Sequence, residues 1–271
     1  MSDGVSVVQK APLGSNPTMI AEQKNYHGIS PKEASQLAID LFMENFPKLK
    51  EAALETARAR VNELIGEIVR EIEEKHNHDY SAFSTPDMQY ILLQAESGYA
   101  RRGTKELCAM LSSLVANRSA CRENNYLEVI LDRAIEIAPL LQPIHLDYLS
   151  LIFVYKHVKF GRVKTLEDLQ KQFQNIHNCL KTPKNINEVA AFINILGLTV
   201  ISLGSATEVL SKCYGFSERD VEAILPAEHK LIHGDYGLSP IGYALAIFNA
   251  RFRLGEEFDL DTWIQSGDMN A

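Results

Sequence analysis

The 271-residue sequence lacks every motif that would assign it a chemistry. It contains no G-x-S-x-G nucleophile elbow, no phosphate-binding loop and no dinucleotide-binding fingerprint. No C-x-x-C pair is present, and each cysteine lies in or beside an apolar helical pattern. The four are therefore interpreted as reduced core thiols of a reducing compartment: Cys108, Cys121, Cys179 and Cys213. We predict no catalytic residue and no cofactor, and the sequence favours a non-enzymatic protein without closing the question.

The sequence also has fewer basic than acidic residues and no apparent secretory signal. The 27 Lys and Arg are outnumbered by 35 Asp and Glu, which gives a formal net charge of −8. Nucleic acid is therefore not expected as a partner, because binding its backbone needs a basic face. The N-terminus has no basic region followed by an apolar segment, so no secretory signal is recognised. We expect a cytoplasmic protein.

One apolar run, residues 189–210, is long enough to be tested as a membrane span. It contains several polar residues and two glycines, Gly197 and Gly204. This composition favours a buried core helix with close neighbours over a span. A membrane partner is therefore not expected.

The clearest signal in the sequence is the spacing of apolar residues at helical intervals. At Ser30 a capping serine, a proline and a glutamate open a helix over residues 31–45. Pro47 predicts a kink or break, after which an apolar stripe continues to residue 75. The centre of this stripe is expected to be buried, within the chain or against a second one.

Further caps and stripes predict an all-α fold, a multi-helix bundle of about nine helices with a short extended or β-hairpin N-terminal arm. Three regions are expected: the arm over residues 1–29, a long-helix region over 30–160 and a C-terminal helical region over 161–271. The last two are either separate or one continuous domain.

The arm contains two strand-like runs, residues 5–9 and 18–23, around a turn-prone Pro/Gly segment. An isolated hairpin is marginal in water, so the arm is either a tail or a segment that pairs with another chain. The predicted oligomerisation residues come from the arm and from the long-helix stripe: Val5, Val7, Met19, Ile20, Val61, Leu64, Ile65 and Ile68.

Polar clusters give only weak candidates for a site. Two groups place histidines near a carboxylate and are weak metal candidates: His229, His233 and Asp235, and His76, His78 and Asp79. For both groups, a solvated helix boundary is the commoner explanation. The first group lacks the glutamate of a zinc-protease helix. A third group on one helix is interpreted as a solvated face rather than a cleft: Asp87, Gln89, Glu96, Arg101 and Arg102.

Short motifs along the chain carry a family resemblance. They are Gly14-Ser15-Asn16 with residues 18–20, and the segments 25–30, 85–90, 94–101, 239–242 and 259–264. Together they resemble a family of uncharacterised bacterial all-helical proteins, over nearly the whole chain. The resemblance implies a helical fold and brings no activity with it.

The Gly14-x-Asn16-x-Thr18 pattern also resembles segments that precede signalling or effector domains in bacterial conflict and antiphage systems, where they mediate homotypic β-pairing. Pro17 departs from a pairing segment because it donates no N–H. The implied protein is a non-enzymatic, self-associating component of a defence or conflict system, a homo-oligomer that also binds another protein. The open alternatives are an effector or toxin, either enzymatic with an unrecognised site or membrane-perturbing.

Overall fold

A computed structural model describes residues 30–45, 51–76, 79–121, 126–161, 163–201, 204–225, 236–256 and 258. This part of the chain forms eleven α-helices and one two-stranded sheet, so the all-α class is confirmed with more helices than expected. The elements are α1 (Pro31–Asn45), α2 (Glu51–Lys75), α3 (Pro86–Arg102), α4 (Lys105–Ala120), α5 (Tyr126–Ile137), α6 (Pro143–His157), α7 (Leu166–Cys179), α8 (Ile186–Ile195), β1 (Thr199–Ile201), α9 (Ala206–Tyr214), α10 (Glu218–Ile224), β2 (Tyr236–Leu238) and α11 (Pro240–Leu254).

The helix starts follow the capping chemistry read from the sequence. Ser30 and Glu33 form the expected reciprocal pair, since the Glu33 N–H donates to Ser30 Oγ and the Ser30 N–H donates to Glu33 Oε2. The hydroxyls of Thr85, Thr165 and Ser239 each accept a hydrogen bond from the backbone N–H three residues later. Local sequence therefore fixes where these helices begin.

The long-helix stripe is buried, as expected. The helix α2 packs against α1, α3 and α4 of the same chain. Its buried face includes Val61, Leu64, Ile65 and Ile68. Four of the predicted oligomerisation residues are thus core residues of a single chain. The other four, Val5, Val7, Met19 and Ile20, lie outside the described residues, as do residues 47–50 of the predicted helix.

The core is centred on α6 and α11, which pack against each other more extensively than any other described pair of elements. In both helices a run of consecutive residues is buried, Leu146 to Lys156 in α6 and Gly242 to Ala250 in α11. α11 also packs against α4 and α5, whereas α8, α9 and β2 pack against α6. The division between residues 30–160 and 161–271 stays a prediction.

The predicted single helix over residues 189–210 is wrong. α8 ends at Ile195, Gly197 adopts a left-handed conformation with φ of 71°, and the chain enters β1 before Ser205 caps α9. A glycine tolerates this conformation without the steric cost that a Cβ would add. Among the described residues, no helix is long and apolar enough to cross a membrane.

The cysteines occupy different environments. All four are free, and the interpretation as core thiols is confirmed for Cys108, whose pKa burial raises to about 11. It is wrong for Cys179 and Cys213, which are exposed, and Cys121 is half-buried. Cys179 is the last residue of α7 and Cys213 lies on the outward face of α9, so neither reaches the core.

Candidate functional site

The end of α8 turns directly into β1 and is held against α11. The Leu198 N–H donates back to Ile193 O at 3.0 Å, which closes the turn around Gly197. Gly242, in the first turn of α11, lies so close that a Cβ built on it would be 2.0 Å from Leu198 O. Two backbones therefore meet here with no room for a side chain.

Replacing Gly242 by alanine is expected to lower the free energy of unfolding by about 1–3 kcal/mol, because the added methyl forces α11 and β1 apart. Urea unfolding followed by circular dichroism measures the change. The matched control is Gly66→Ala in α2, where a Cβ meets nothing within 4 Å. It should keep or raise stability, since alanine is the better helix former. Equal effects at both glycines would contradict the close approach.

The two strands form an antiparallel ladder whose outward groups can be identified. Ser239 N–H donates to Leu198 O at 3.0 Å, and Ile201 pairs with Tyr236 at the other end. Leu198 and Ser239 therefore form a hydrogen-bonded pair. Hydrogen-bonded and non-hydrogen-bonded pairs alternate along an antiparallel ladder, so Val200 is in a hydrogen-bonded pair, whereas Ile201 and Tyr236 form a non-hydrogen-bonded pair. The backbone N–H and C=O of Ile201 and Tyr236 therefore point away from the partner strand, toward the outer edges.

Lys156 closes the outer edge of β2. This buried lysine of α6 donates from Nζ to Tyr236 O at 2.7 Å and to Gly204 O at 2.9 Å. Within the described residues the sheet has no third strand, and Ile201 at the edge of β1 is 83% exposed. In the described part of the chain, the sheet thus has one edge capped by a cation and one edge without a neighbouring strand, which we call the open edge.

An apolar surface flanks the open edge, and we call it the α8–β surface. It consists of Ile195, which is 82% exposed, Ile201, and Tyr236, which is 42% exposed. Ile201 and Tyr236 are cross-strand partners, and Tyr236 and Ile195 both line a groove of about 370 Å³ along α8. The described residues that line this groove carry no charge. Contiguous exposed apolar residues of this kind mark interaction sites more often than chance surface exposure does.

A half-buried histidine, His157, ends α6 next to the lysine that contacts the sheet. The hydroxyl of Tyr243 in α11 lies 2.7 Å from Nε2 of His157, the residue that follows Lys156. Burial, together with the adjacent Lys156 charge, lowers the pKa of His157 to about 4. Burial raises the pKa of Tyr243, so at neutral pH a protonated phenol meets a neutral imidazole. This pair fixes the end of α6 that presents Lys156 to β2.

A second polar cluster surrounds Arg118 of α4, which is buried. Its guanidinium contacts Asp87 at the start of α3, Glu128 at 2.5 Å and Asp132 at 2.6 Å, the last two on α5. Burial alone would lower the pKa of Arg118, but the Asp132 hydrogen bond and the three negative charges raise it. Burial raises the pKa of Asp132 despite the arginine. The cluster ties three helices together.

A third network joins α6 to α11. Asp147 is buried and accepts hydrogen bonds from Asn249 Nδ2, Arg253 Nε and the Lys181 backbone N–H, each at 3.2 Å. Asn249 also donates to Ser150 Oγ at 2.9 Å. Charge-assisted bonds of this kind satisfy a carboxylate that would otherwise be costly to bury.

Glu96 differs from these carboxylates, and its interpretation as part of a solvated face is wrong. It is 0% exposed in α3, and neither carboxyl oxygen has a hydrogen-bond partner among the described residues. Burial raises the pKa of this carboxyl well above its ordinary value. Of the other residues in that predicted face, Asp87 bonds to Arg118, Gln89 donates to Phe83 O, and Arg101 and Arg102 are exposed.

Of the six weak metal candidates, the structure describes His76 and Asp79. His229, His233, Asp235 and His78 lie outside the described residues. Asp79 Oδ1 accepts from the backbone N–H and hydroxyl of Ser81 and so begins a turn. Burial lowers the pKa of His76. Across the residues that the structure describes, no group of three His, Cys, Asp or Glu side chains could hold a metal ion.

A cleft of about 550 Å³ opens between α7 and α10, and sequence reasoning did not find it. Uncharged polar side chains, Gln170, Gln174 and His177 among them, line it above an apolar floor that includes Phe173. His177 Nε2 lies 2.5 Å from the hydroxyl of buried Tyr155 in α6. The lining can hydrogen-bond a neutral polar molecule. No sequence signal could link Tyr155 and His177, since they lie on different helices.

The described architecture is that of an all-α protein carrying a small sheet with one open edge. The model of an uncharacterised protein family matches residues 28–233, about three quarters of the chain. The chain belongs to this family. The matched residues include α1 to α10 and stop before β2 and α11. No curated protein and no solved structure matches the chain.

Proposed function

We propose that the protein is a non-enzymatic, self-associating interaction protein that works as a homo-oligomer in a bacterial defence or conflict system. The observation that carries self-association is the α8–β surface, which exposes two isoleucines and a tyrosine beside an open strand edge. The defence context depends on the resemblance of the N-terminal Gly-x-Asn-x-Thr segment. A further protein partner belongs to the same proposal.

Covering the α8–β surface would be favourable. Removing one large apolar side chain from water stabilises by about 1.5–3 kcal/mol, and Ile195 and Ile201 are each more than four-fifths exposed. Association itself costs at least about 4 kcal/mol in lost translational and rotational freedom. Two isoleucines and Tyr236 therefore support a weak, concentration-dependent assembly rather than a permanent one.

The described lining of the groove is compatible with a second copy as the occupant. The chain carries a formal net charge of −8, so two copies repel each other over most approaches. The described residues that line the groove along α8 carry no charge, so copies that meet there avoid direct like-charge contact with them.

The test compares the full-length protein with the double variant Ile195→Ser, Ile201→Ser by light scattering coupled to size exclusion. We expect the wild-type mass to rise from low to tens of micromolar, and the double variant to assemble about tenfold more weakly or worse. Val129→Ser is the matched control, because it makes a similar change at an exposed apolar residue outside the α8–β surface. Val129 is 59% exposed and lies on α5, which packs against α3, α4 and α11. Its assembly should equal that of the wild type. A wild-type protein that stays monomeric throughout would defeat the proposal.

A further inference from the structure

We infer that the open edge of β1 takes residues 5–9 of a second copy as an added antiparallel or parallel strand, so that copies join head to tail. This inference rests on the proposed self-association and names the segment and the edge that perform it. It follows from the ladder geometry, the groove, the sequence of the arm and the position of α1.

The edge has the required hydrogen-bonding groups. In the ladder, the backbone N–H and C=O of Ile201 point out of β1, and the structure gives them no bond to another described element. The matching groups of β2 are used, since Tyr236 O accepts from Lys156. An extended peptide adds to such an edge through main-chain hydrogen bonds, and the sheet here offers one edge for it.

The groove provides specificity for the side chains of an added strand. Alternate residues of a strand face the same side, so every second side chain of an added strand lies on the face formed by Ile201 and Tyr236. On that face the groove continues along Ala190 and Ile195 of α8. The lining also includes Tyr148, Asn187 and Asn194, so the groove offers apolar contacts to a β-branched side chain beside amide groups that can form hydrogen bonds.

The sequence offers two segments for this edge, and charge distinguishes them. Residues 5–9 read Val-Ser-Val-Val-Gln and carry no charge, with Val5 and Val7 at alternate positions. Residues 18–23 contain Glu22 and follow Pro17, which donates no N–H. The described lining of the groove contains no cation, so a carboxylate buried there would meet no opposite charge, which favours the uncharged segment.

The position of α1 favours a second copy as the donor. The arm ends where α1 begins, and α1 packs against α2 and α3, whereas β1 packs against β2 and α8. Donor and acceptor thus belong to different groups of helices. A donor on one part of the chain and an acceptor on another make a heterologous contact, which builds open chains or closed rings. The 21 residues between Gln9 and Pro31 span up to about 69–76 Å when extended, enough to reach a neighbour.

The experiment uses two full-length variants that each remove one half of the contact. Val7→Pro takes an N–H from the donor, and Ile201→Lys places a charge at the acceptor edge. Each variant alone should assemble at least about tenfold more weakly than the wild type by light scattering. Their equimolar mixture should form dimers and nothing longer, because only one donor and one edge remain complementary. Met19→Pro is the control in the other arm segment and should assemble like the wild type.

The remaining outcomes show whether the added strand, the self-association or both are wrong. Wild-type-like assembly of Val7→Pro would overturn the added strand while leaving self-association through the α8–β surface intact. Loss of assembly with Met19→Pro but not with Val7→Pro would show that residues 5–9 are the wrong segment. A mixture that stays monomeric would overturn head-to-tail pairing. A monomeric wild-type protein would overturn both the inference and the proposed function.

Discussion

Replacing Arg118 by methionine is expected to lower the free energy of unfolding by about 3 kcal/mol at neutral pH, the lower end of the range for breaking a buried ion pair, because the carboxylates left behind keep some contact with water. The arginine is buried and is the cation that faces Asp87, Glu128 and Asp132. Without it, three carboxylates from α3 and α5 would face one another with no opposite charge. Methionine keeps most of the side-chain volume, so the lower free energy of unfolding is caused by the lost charge rather than by a cavity.

The loss should shrink in acid, and this distinguishes it from a packing defect. Burial already raises the pKa of Asp132, and the variant loses the Arg118 hydrogen bond and charge that act against this rise. The folded-state pKa of Asp132 then lies further above its unfolded value, so the cost is present above the unfolded pKa and disappears as pH falls below it, when both states are protonated. Urea unfolding near pH 7 and near pH 4 measures the difference. The control Arg133→Met removes an exposed arginine paired with Glu136 on α5 and should change stability by less than about 0.5 kcal/mol.

The helices could be predicted because their signals are local. Ser30 and Glu33 lie three residues apart, and the capping box they form needs no other part of the chain. The stripe through Leu64 identified a buried face because α2 has neighbours along one side. The prediction failed over residues 189–210, where Gly197 ends α8 and β1 pairs with Tyr236–Leu238. Pairing between segments so distant in sequence leaves no local periodicity.

The α8–β surface could not be predicted for the same reason. Ile195 and Ile201 read as core residues in an apolar run, and their exposure depends on where Gly197 turns the chain. The cluster at Arg118 left a signal that could have been read. Glu128 and Asp132 are like charges at i, i+4 on one helix, which is destabilising unless a cation lies between them.

Glu96 was assigned to solvent because the buried face of α3 is wider than its apolar stripe. Leu92, Glu96 and Ala100 form one i, i+4 row, and all three are buried. The elements that pack against α3 include α1, α2, α4 and α5, so little of its circumference is left for water. The small residues Gly98 and Ala100 indicate such close neighbours.

Glu96 gives the second large effect, a pH dependence of stability. Its folded-state pKa is raised well above the ordinary value of about 4.5, because the carboxyl is buried without a hydrogen bond. Between the unfolded and folded pKa values, the folded protein holds one proton more than the unfolded chain. Stability therefore falls as pH rises through this window, by about 1.4 kcal/mol per pH unit. Below the unfolded pKa the group contributes no pH dependence.

Glu96→Gln is expected to remove this slope, since an amide of nearly the same shape does not titrate. The variant should match the wild type near pH 4 and become progressively more stable than it as pH rises above the unfolded pKa. Urea unfolding at intervals of one pH unit measures the difference between the two profiles. Glu167→Gln makes the same change at an exposed residue of α7 and should keep the wild-type profile. Parallel profiles for Glu96→Gln and the wild type would show that water reaches the Glu96 carboxyl in solution, since a hydrated carboxyl keeps its ordinary pKa in both states.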